Sequence, residues 1–485
     1  MTRLERLKRW VAPGLRLSEA KRGDAPAGKR PAQTTSIARE LVLLAWPIAA
    51  AMFGETLLGL VDTKLVGGLG AAALGGVGVG TMLMFLNYST VFGLMRGVKV
   101  RAAYATGHGV PQRGVRYAQA GAVMGALFGV GVWCVGRDVG WLLRGIGIDD
   151  NLITPGRDFF SAISWGAPAT CTLAALINHR QGKGDSRTPM IVGVLGNLVN
   201  VCLSYGLIYG HFGLPALGVR GAGYGTATTE WLEVSAMLGI LAREARAARG
   251  TIDISLRSAA REVAELGVPT GAQFAAETLA FSTFTAVLGT IGDAQIAAHQ
   301  IALATIRTSF LPGIAVGEAA CVLVGRSLAQ KRVDLADRAT NIALALAIGF
   351  MAACGLVFAV LGGAIARVFT NDAEVAAIAQ RLLYVAAAFQ ILDACNIVFR
   401  GALRGAKDVK VAAIMGIAIV WTCVPTAAYL LGKLAGWGAL GGWCGFLAET
   451  SLSTVLFWRR WRRGPWRRAF EGPLAKEAST ALVAA

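Results

Sequence analysis

Charged side chains are scarce in this sequence. They make up 16% of its 485 residues, whereas soluble globular proteins carry about 25%. Hydrophobic residues make up 55%, and no single soluble core of this length could keep so much apolar surface away from water. The scarcity of charge excludes an ordinary soluble protein and indicates a chain that spans a lipid bilayer.

Residues that bind metals or form disulfides are also few and scattered. The four histidines are far apart, and the eight cysteines lie in apolar segments without a CxxC pair or a zinc-type spacing. No His-Asp constellation or nucleotide-cradling loop is present. The sequence therefore predicts no cofactor, no metal centre and no enzyme, and a membrane-embedded transferase is only a minor alternative.

The length fits about twelve membrane spans. A spanning helix needs roughly 20 mainly apolar residues, so twelve helices with short loops would use most of the chain. A short interfacial helix is predicted within 138–150. The predicted spans are 37–69, 71–98, 116–135, 152–177, 190–209, 218–241, 258–289, 294–324, 336–361, 375–403, 409–431 and 438–458.

Basic residues explain the formal net charge of +18. They concentrate in alternate loops and in both terminal tails, and basic residues of membrane proteins collect on the cytoplasmic side. We therefore expect a multi-pass protein of the cell (inner) membrane with both termini cytoplasmic. Because the basic residues lie in short loops and tails, nucleic acid is excluded as a partner.

The two halves of the chain repeat each other. Offsets of 222, 223 and 219 residues relate the pairs Pro47 and Pro269, Glu55 and Glu277, Gly67 and Gly289, Gly182 and Gly405, Asp185 and Asp408, and Glu230 and Glu449. Each repeat holds six spans, so the halves have the same orientation, a design common in secondary transporters. The predicted organisation is a tail (1–36), an amino lobe (37–243), a linker (244–257), a carboxy lobe (258–463) and a second tail (464–485).

Several acids fall inside predicted spans. An ionisable group in the bilayer is costly and usually faces a cavity or a partner, so it marks an ion or substrate path. Asp62, Glu277 and Asp393 are the strongest candidates for coupling to H⁺ or Na⁺, and a Na⁺ site would lie at Glu277 and Asp393. Candidates for the substrate path are Glu55, Glu230, Glu449 and Gln390. The competing interpretation is that these groups only hydrogen bond neighbouring helices.

Three further charges lie within predicted spans. Arg96 and Glu318 occupy equivalent repeat positions, since 318 − 96 = 222. We predict that they pair between the lobes and close the cytoplasmic side, although each could instead pair locally or extend to the bilayer surface. Arg307, near mid-depth, is a candidate for contact with substrate or with an acid.

Three motifs together resemble one known family. The segments Gly59-Leu60-Val61-Asp62-Thr63, 298–303 (AHQIAL) and 403–408 (LRGAKD) are similar to motifs of the multidrug and toxic compound extrusion (MATE) transporters. The resemblance covers the chain from about residue 38 to 458. It implies two pseudo-symmetric six-helix lobes and export of amphipathic or cationic organic compounds by alternating access, coupled to a cation.

The resemblance also assigns roles to single residues. Asp62 matches an acid implicated in proton coupling, Glu277 and Asp393 match acids associated with cation binding, and Asn200 fits the pattern of the fifth span. Two positions depart from the pattern: Ser204 stands where many bacterial members of the family have an acid, and Phe389 stands where some sodium-coupled members have a tyrosine. Either H⁺ or Na⁺ could therefore be the coupling ion, and H⁺ is favoured because the acids are kept while neutral oxygen ligands are lost.

The expected partners follow from this assignment. They are small organic substrates, the coupling cation and membrane lipids, and the chain is expected to act as a monomer. The main alternative function is a flippase for lipids or lipid-linked precursors, which would have a more basic cavity.

Overall fold

A computed structural model describes residues 30–145 and 147–470. Its helices are α1 (Arg30–Gly67), α2 (Ala71–Gly107), α3 (Pro111–Gly136), α4 (Gly140–Gly145), α5 (Asp150–Ser164), α6 (Ala167–Gly182), α7 (Arg187–Tyr209), α8 (Val219–Ala247), α9 (Leu256–Gly289), α10 (Asp293–Ala329), α11 (Val333–Phe369), α12 (Ala373–Gly405), α13 (Val409–Ala427), α14 (Gly438–Arg463) and α15 (Trp466–Phe470). A π-helical segment, Ala428–Leu434, extends α13.

The predicted all-α architecture of twelve spans is confirmed. Taking α5 and α6 as one span, twelve long helices form two lobes of six. In the described part of the chain, eight helices are long and apolar enough to cross a bilayer, and the bent pair α5–α6 makes a ninth. The other three, α8, α9 and α14, are more polar, and each carries an intramembrane acid, Glu230, Glu277 and Glu449 respectively.

The fourth span differs from the prediction of one continuous helix over 152–177. It breaks at Trp165–Gly166, and its two parts are inclined by 51°. Gly166 lies against α8, where an added Cβ would lie 2.8 Å from the Cα atom of Ala227 and would also meet the Glu230 carboxylate. The break is thus a feature of tertiary packing, which hydropathy does not report.

Several helices are longer than their apolar segments, because the helical structure continues into neighbouring sequence that contains charged residues. α2 extends from the predicted end at Val98 to Gly107. α8 and α9 reach Ala247 and Leu256, which shortens the predicted linker of 244–257 to residues 248–255. Arg246 lies in the last turn of α8, where a basic side chain interacts favourably with the negative end of the helix dipole.

The predicted tails are only partly described. Helix α1 begins at Arg30, ahead of the predicted start near residue 37, and α15 is a short helix in the second tail. Residues 1–29 and 471–485 lie outside the described residues, as does Ile146 of the predicted interfacial segment. In that segment α4 is the observed helix.

The lobes join at one end of the bundle. We call this the basic end, defined by the loops 108–110, 183–186, 248–255, 330–332 and 406–408. Hydrophobic clusters near the basic end mix residues of both lobes, for example Val100 and Tyr104 with Leu266 and Val324. Clusters near the opposite end belong to one lobe each. The lobes are therefore in contact at the basic end and separate toward the other.

Candidate functional site

Three carboxylates converge at mid-depth in the amino lobe. Glu55 of α1 interacts electrostatically with Glu233 of α8, and Glu233 in turn interacts with Glu230 one turn away. Glu233 lies directly over Gly196 of α7, where any side chain larger than hydrogen would collide with it. The structure thus brings together Glu55 and Glu230, both predicted from sequence, and adds Glu233.

Glu230 lies in a mainly buried pocket. The Thr170 hydroxyl of α6 lies beside it, and the Tyr88 hydroxyl donates a hydrogen bond to Thr170 Oγ1 (3.2 Å). Its Oε2 atom is buried without a hydrogen-bond partner among the described residues. A buried carboxylate oxygen without a partner is costly, so this atom is available to a proton or a bound cation.

Asp62 lies on α1 two turns from Glu55, a distance of about 10 Å along the helix axis. Its Oδ1 atom is also buried without a hydrogen-bond partner in the described part of the chain. Asn200 is 1% exposed and forms a separate group, donating to Thr226 Oγ1 (3.3 Å) and accepting from the Ser204 hydroxyl (3.1 Å). The Ser204 hydroxyl therefore helps to orient the Asn200 amide.

In the carboxy lobe, Glu277 has a basic partner that was not predicted from the sequence. Its Oε1 atom accepts a hydrogen bond from Gln273 Nε2 (2.9 Å) and is ion-paired with Arg400 Nη2 of α12. An intramembrane arginine is compatible with a bilayer when its charge is paired in this way. Arg400 lies two turns beyond Asp393 on α12. This spacing places a base on the same helix face as a predicted acid, and it is the sequence signal that indicates a charge partner.

Asp393 and Glu449 lie near this ion pair. The charge of Asp393 interacts with those of Glu449 and Arg400. Glu449 Oε1 accepts from Ser453 Oγ (2.9 Å), and Asn396 lies beside the same carboxylate. The predicted acids Glu277, Asp393 and Glu449 are thus grouped, and they share one arginine.

The remaining substrate-path candidates differ in their surroundings. Gln390 is fully buried and donates to Ser309 Oγ (2.7 Å), which ties α12 to α10. Phe389 packs against the Trp443 ring and fills space in the core of the lobe. Arg307 has an exposed side chain, and the structure does not pair it with an acid among the described residues.

At the basic end, the structure brings Arg96 and Glu318 together. Arg96 Nη2 lies 2.9 Å from Glu318 Oε1. Lys99 Nζ lies 2.6 Å from Glu318 Oε2, and Arg404 Nη2 lies 3.2 Å from Oε1. We call these four residues the Glu318 cluster. It joins α2 of the amino lobe to α10 and α12 of the carboxy lobe.

The Glu318 cluster is deeply buried. The side chains of Glu318 and Lys99 are 5% and 4% exposed, and the Arg96 guanidinium lies 4.1 Å from the centre of the Phe274 ring. Hydropathy predicts that Lys99 and Arg404 lie in loops, but both lie on helices that extend past the apolar spans. One acid therefore holds three bases from both lobes.

A further contact between lobes lies in the loop after α12. The Lys407 ammonium lies 3.6 Å from the centre of the Tyr104 ring of α2. Burial and the neighbouring charge of Arg101 lower the pKa of Lys407 to about 8, while Glu262 acts in the opposite direction.

Glu449 interacts electrostatically with both acids of the predicted Na⁺ site, Glu277 and Asp393, but the three described carboxylates do not form a metal-binding group. Within residues 30–145 and 147–470, no group of three or more His, Cys, Asp or Glu side chains could hold a metal ion. At Glu277, one of the two predicted Na⁺ ligands, the Oε1 atom is already occupied by Gln273 and Arg400.

Comparison with known proteins gives one family. The MatE family model matches residues 47–206 and 269–429, one match in each repeat. Solved structures with the same fold include the eukaryotic MATE transporter AtDTX14, with a TM-score of 0.80 and 20% identity over 90% of this chain and 98% of that one. A MOP superfamily transporter from Pyrococcus furiosus gives 0.80 and 18%, over 90% and 97%. The Vibrio cholerae MATE transporter VcmN gives 0.81 and 16%, over 89% and 98%.

Proposed function

The chain belongs to the MatE family of membrane transporters, and from this premise we propose that it exports amphipathic or cationic organic compounds in exchange for protons. It is thus a multi-pass efflux transporter and not an enzyme. What we propose beyond the family is the coupling ion, the class of substrate and the way the lobes close.

The amino-lobe acids carry the proposal. Glu55, Asp62, Glu230 and Glu233 lie within the spans, and none of them forms an ion pair in the described part of the chain. A charged group at the bilayer centre costs about 2.5–3.5 kcal/mol on insertion scales. These groups should therefore hold protons when empty and give them up when an organic cation supplies the missing positive charge.

Competition between proton and substrate gives a mechanism of exchange. A substrate cation that enters from the cytoplasm displaces a proton from a carboxylate, and a proton that arrives from outside displaces the substrate. Each step keeps the buried site close to neutral. Because the two ligands compete for the same oxygen atoms, an inward proton gradient drives outward transport of the substrate.

The Glu318 cluster supports a gate. Its four charges join the lobes where they meet, and opening the basic end would separate Glu318 from Arg96 and Lys99. Removing one partner from a buried ion pair costs about 3–5 kcal/mol. We therefore assign this conformation to the state closed toward the cytoplasm, with Arg96 and Glu318 as the gate.

Charge distribution supports the orientation. The loops of the basic end carry most of the loop lysines and arginines, which would place this end in the cytoplasm together with both termini. The membrane would be the cell (inner) membrane, and the two internal repeats would let one chain act as a monomer within its lipids.

The alternative of a lipid or lipid-linked precursor flippase predicts a basic cavity for phosphate groups. The amino-lobe acids have no basic partner among the described residues, and Arg400 in the carboxy lobe is already paired with Glu277. Arg307 is a carboxy-lobe base that is not paired with an acid among the described residues, but the amino-lobe acids Glu55, Asp62, Glu230 and Glu233 outnumber it. The balance of charge within the spans thus favours a cationic substrate over a phosphorylated one.

Transport in proteoliposomes tests the proposal. Purified protein would be reconstituted, and pH and Na⁺ gradients would be imposed separately with ethidium as the transported dye. We expect movement of ethidium driven by the pH gradient alone. Movement driven only by the Na⁺ gradient would refute proton coupling, and no movement of ethidium beside transport of a fluorescent phospholipid would favour the flippase.

A further inference from the structure

Arg400 is an arginine at the centre of a carboxylate group inside the carboxy lobe. Its guanidinium is ion-paired with Glu277 and interacts electrostatically with Glu449 and Asp393. The side chain is 24% exposed, and its guanidinium carbon lies 5.7 Å from the centre of the Phe457 ring. A guanidinium held between acids in this way has both a charge partner and a packing surface.

The neighbouring helix provides the space for this arrangement. Gly416 of α13 faces the Glu277 group, and a Cβ atom added there would lie 2.6 Å from Gln273 Nε2 and 3.2 Å from Arg400 Nη2. A side chain at this position would crowd the Gln273 amide and lie close to the Arg400 guanidinium, so glycine leaves both donors in their observed positions. The contact between Arg400 and Glu277 is therefore built by three helices, α9, α12 and α13.

In the described part of the amino lobe, no arginine is ion-paired with the intramembrane acids Glu55, Asp62, Glu230 and Glu233. In the register that pairs Asp185 with Asp408, Arg400 corresponds to Ile177, since 400 − 223 = 177. By contrast, Glu55 and Glu277 occupy equivalent positions, so both repeats have an acid there. The two lobes thus keep equivalent acids but differ in whether a fixed positive charge accompanies them.

We propose that Arg400 determines ion specificity by acting as a tethered cation that occupies the carboxylates of the carboxy lobe and excludes Na⁺. A hard metal cation is bound by several oxygen ligands, and here Glu277 Oε1 is already engaged by two nitrogen donors. Na⁺ would have to displace a charge-assisted contact and would be repelled by the guanidinium. The physiological meaning of this inference rests on the proposed function, whereas the exclusion of Na⁺ from the carboxylates does not.

Direct measurement of Na⁺ binding to purified protein tests this role. We expect wild type to show no saturable ²²Na⁺ binding up to about 50 mM. Arg400→Leu should gain a site whose dissociation constant for Na⁺ lies at least about tenfold below that limit, which corresponds to about 1.4 kcal/mol of binding free energy. Arg400→Lys, which keeps the charge, should behave like wild type. Saturable Na⁺ binding to wild type that Glu277→Gln removes would overturn the proposal.

Two controls assign the effect to the carboxylates. The double variant Arg400→Leu with Glu277→Gln should lose the gained site, because the freed acid is then absent. Arg367→Leu removes an arginine of the same lobe whose guanidinium donates a hydrogen bond to the Gly363 carbonyl oxygen of its own helix (3.1 Å) and is not ion-paired with any described acid, and it should gain no site. Gain of Na⁺ binding in Arg367→Leu would show that loss of any positive charge suffices.

The outcomes remain separate from those of the proposed function. The binding measurement requires no transport, so it reports on Arg400 even if ethidium is not a substrate. If Arg400→Leu does not fold, as judged by gel filtration, the wild-type and Arg400→Lys proteins still decide the matter, since saturable Na⁺ binding by either one contradicts the proposal.

Discussion

Arg96 and Glu318 occupy equivalent positions of the two repeats and meet with 2.9 Å between Nη2 and Oε1. A symmetry operation that exchanges the lobes would exchange these two positions. Equivalent residues that touch each other must lie close to the symmetry axis. A pair of opposite charges at this place therefore joins the lobes at their shared boundary. Lys99 and Arg404 add a second and a third base to the same acid.

Replacement of Glu318 should open the basic end. Glu318→Gln leaves three buried basic groups without their acid, and we expect a loss of stability of about 3–5 kcal/mol, as for other broken buried pairs. Thermal unfolding in detergent measures this effect. Asp334→Asn is the matched control, because its pair with Arg332 is about half exposed and such pairs contribute about 0–1 kcal/mol.

Cysteine crosslinking tests the gate itself. Arg96→Cys combined with Glu318→Cys should crosslink in protein held in the outward-facing state and should then block transport until reduced. If the pair does not crosslink in such a preparation, these residues do not form the gate, whatever the stability of the single variants.

The amino-lobe acids should be required for transport. We expect Asp62→Asn and Glu230→Gln each to lower the initial rate of ethidium transport at least about tenfold, since each removes an oxygen that exchanges a proton for the substrate. Asp158→Asn serves as the control, because Asp158 pairs with Arg220 near the opposite end. Wild-type rates in both amino-lobe variants, at equal membrane expression, would exclude them from coupling.

Close packing of α2 against α9 should be sensitive to a single methyl group. A Cβ at Gly97 would overlap the carbonyl oxygen of Val263, whereas Gly78 of the same helix has open space around it. Gly97→Ala should therefore destabilise the protein by about 1–3 kcal/mol. Gly78→Ala should leave the melting temperature unchanged or slightly higher, because alanine favours a helix. Equal effects of the two changes would contradict the packing of the lobes described above.

The lowered pKa of Lys407 should make the stability of the protein depend on pH. Its pKa of about 8 in the folded protein lies below the usual 10.5, so the unfolded chain binds more protons between these values. Stability should then rise with pH from about 8 to 10.5. Lys407→Met should weaken that rise without abolishing folding, as measured by thermal unfolding at pH 7.5 and 9.5. An identical pH dependence in the variant would show that Lys407 is not buried as described.

The architecture could be predicted well from the sequence because its signals are periodic. Hydropathy indicates twelve spans, and the offset of 222 residues between the repeats aligns Arg96 with Glu318. The repeat also gives the correspondence of Glu55 and Glu277. The family assignment and the two-lobe fold are confirmed by the match of one family model to each half.

Contacts between distant helices that the repeat does not relate could not be predicted in the same way. Lys99 and Arg404 resemble loop residues because charge ends an apolar run. Lys99 is nevertheless paired with Glu318 across the lobe boundary, and Arg404 is paired with the same acid from within the carboxy lobe. Arg400 and Glu233 lie within spans, and neither has a charged counterpart in the other repeat that would mark it. The partner of Arg400 depends on the space that Gly416 leaves on a third helix, which hydropathy and repeat spacing do not report.

Proton release on substrate binding tests the central claim most directly. Purified protein in weakly buffered detergent would receive tetraphenylphosphonium, and a pH indicator would report protons while a binding assay reports the cation. Competition at the amino-lobe carboxylates predicts release of protons from wild type, and less release for each cation bound to Asp62→Asn or Glu230→Gln. Binding of the cation to wild type without any proton release would contradict the account.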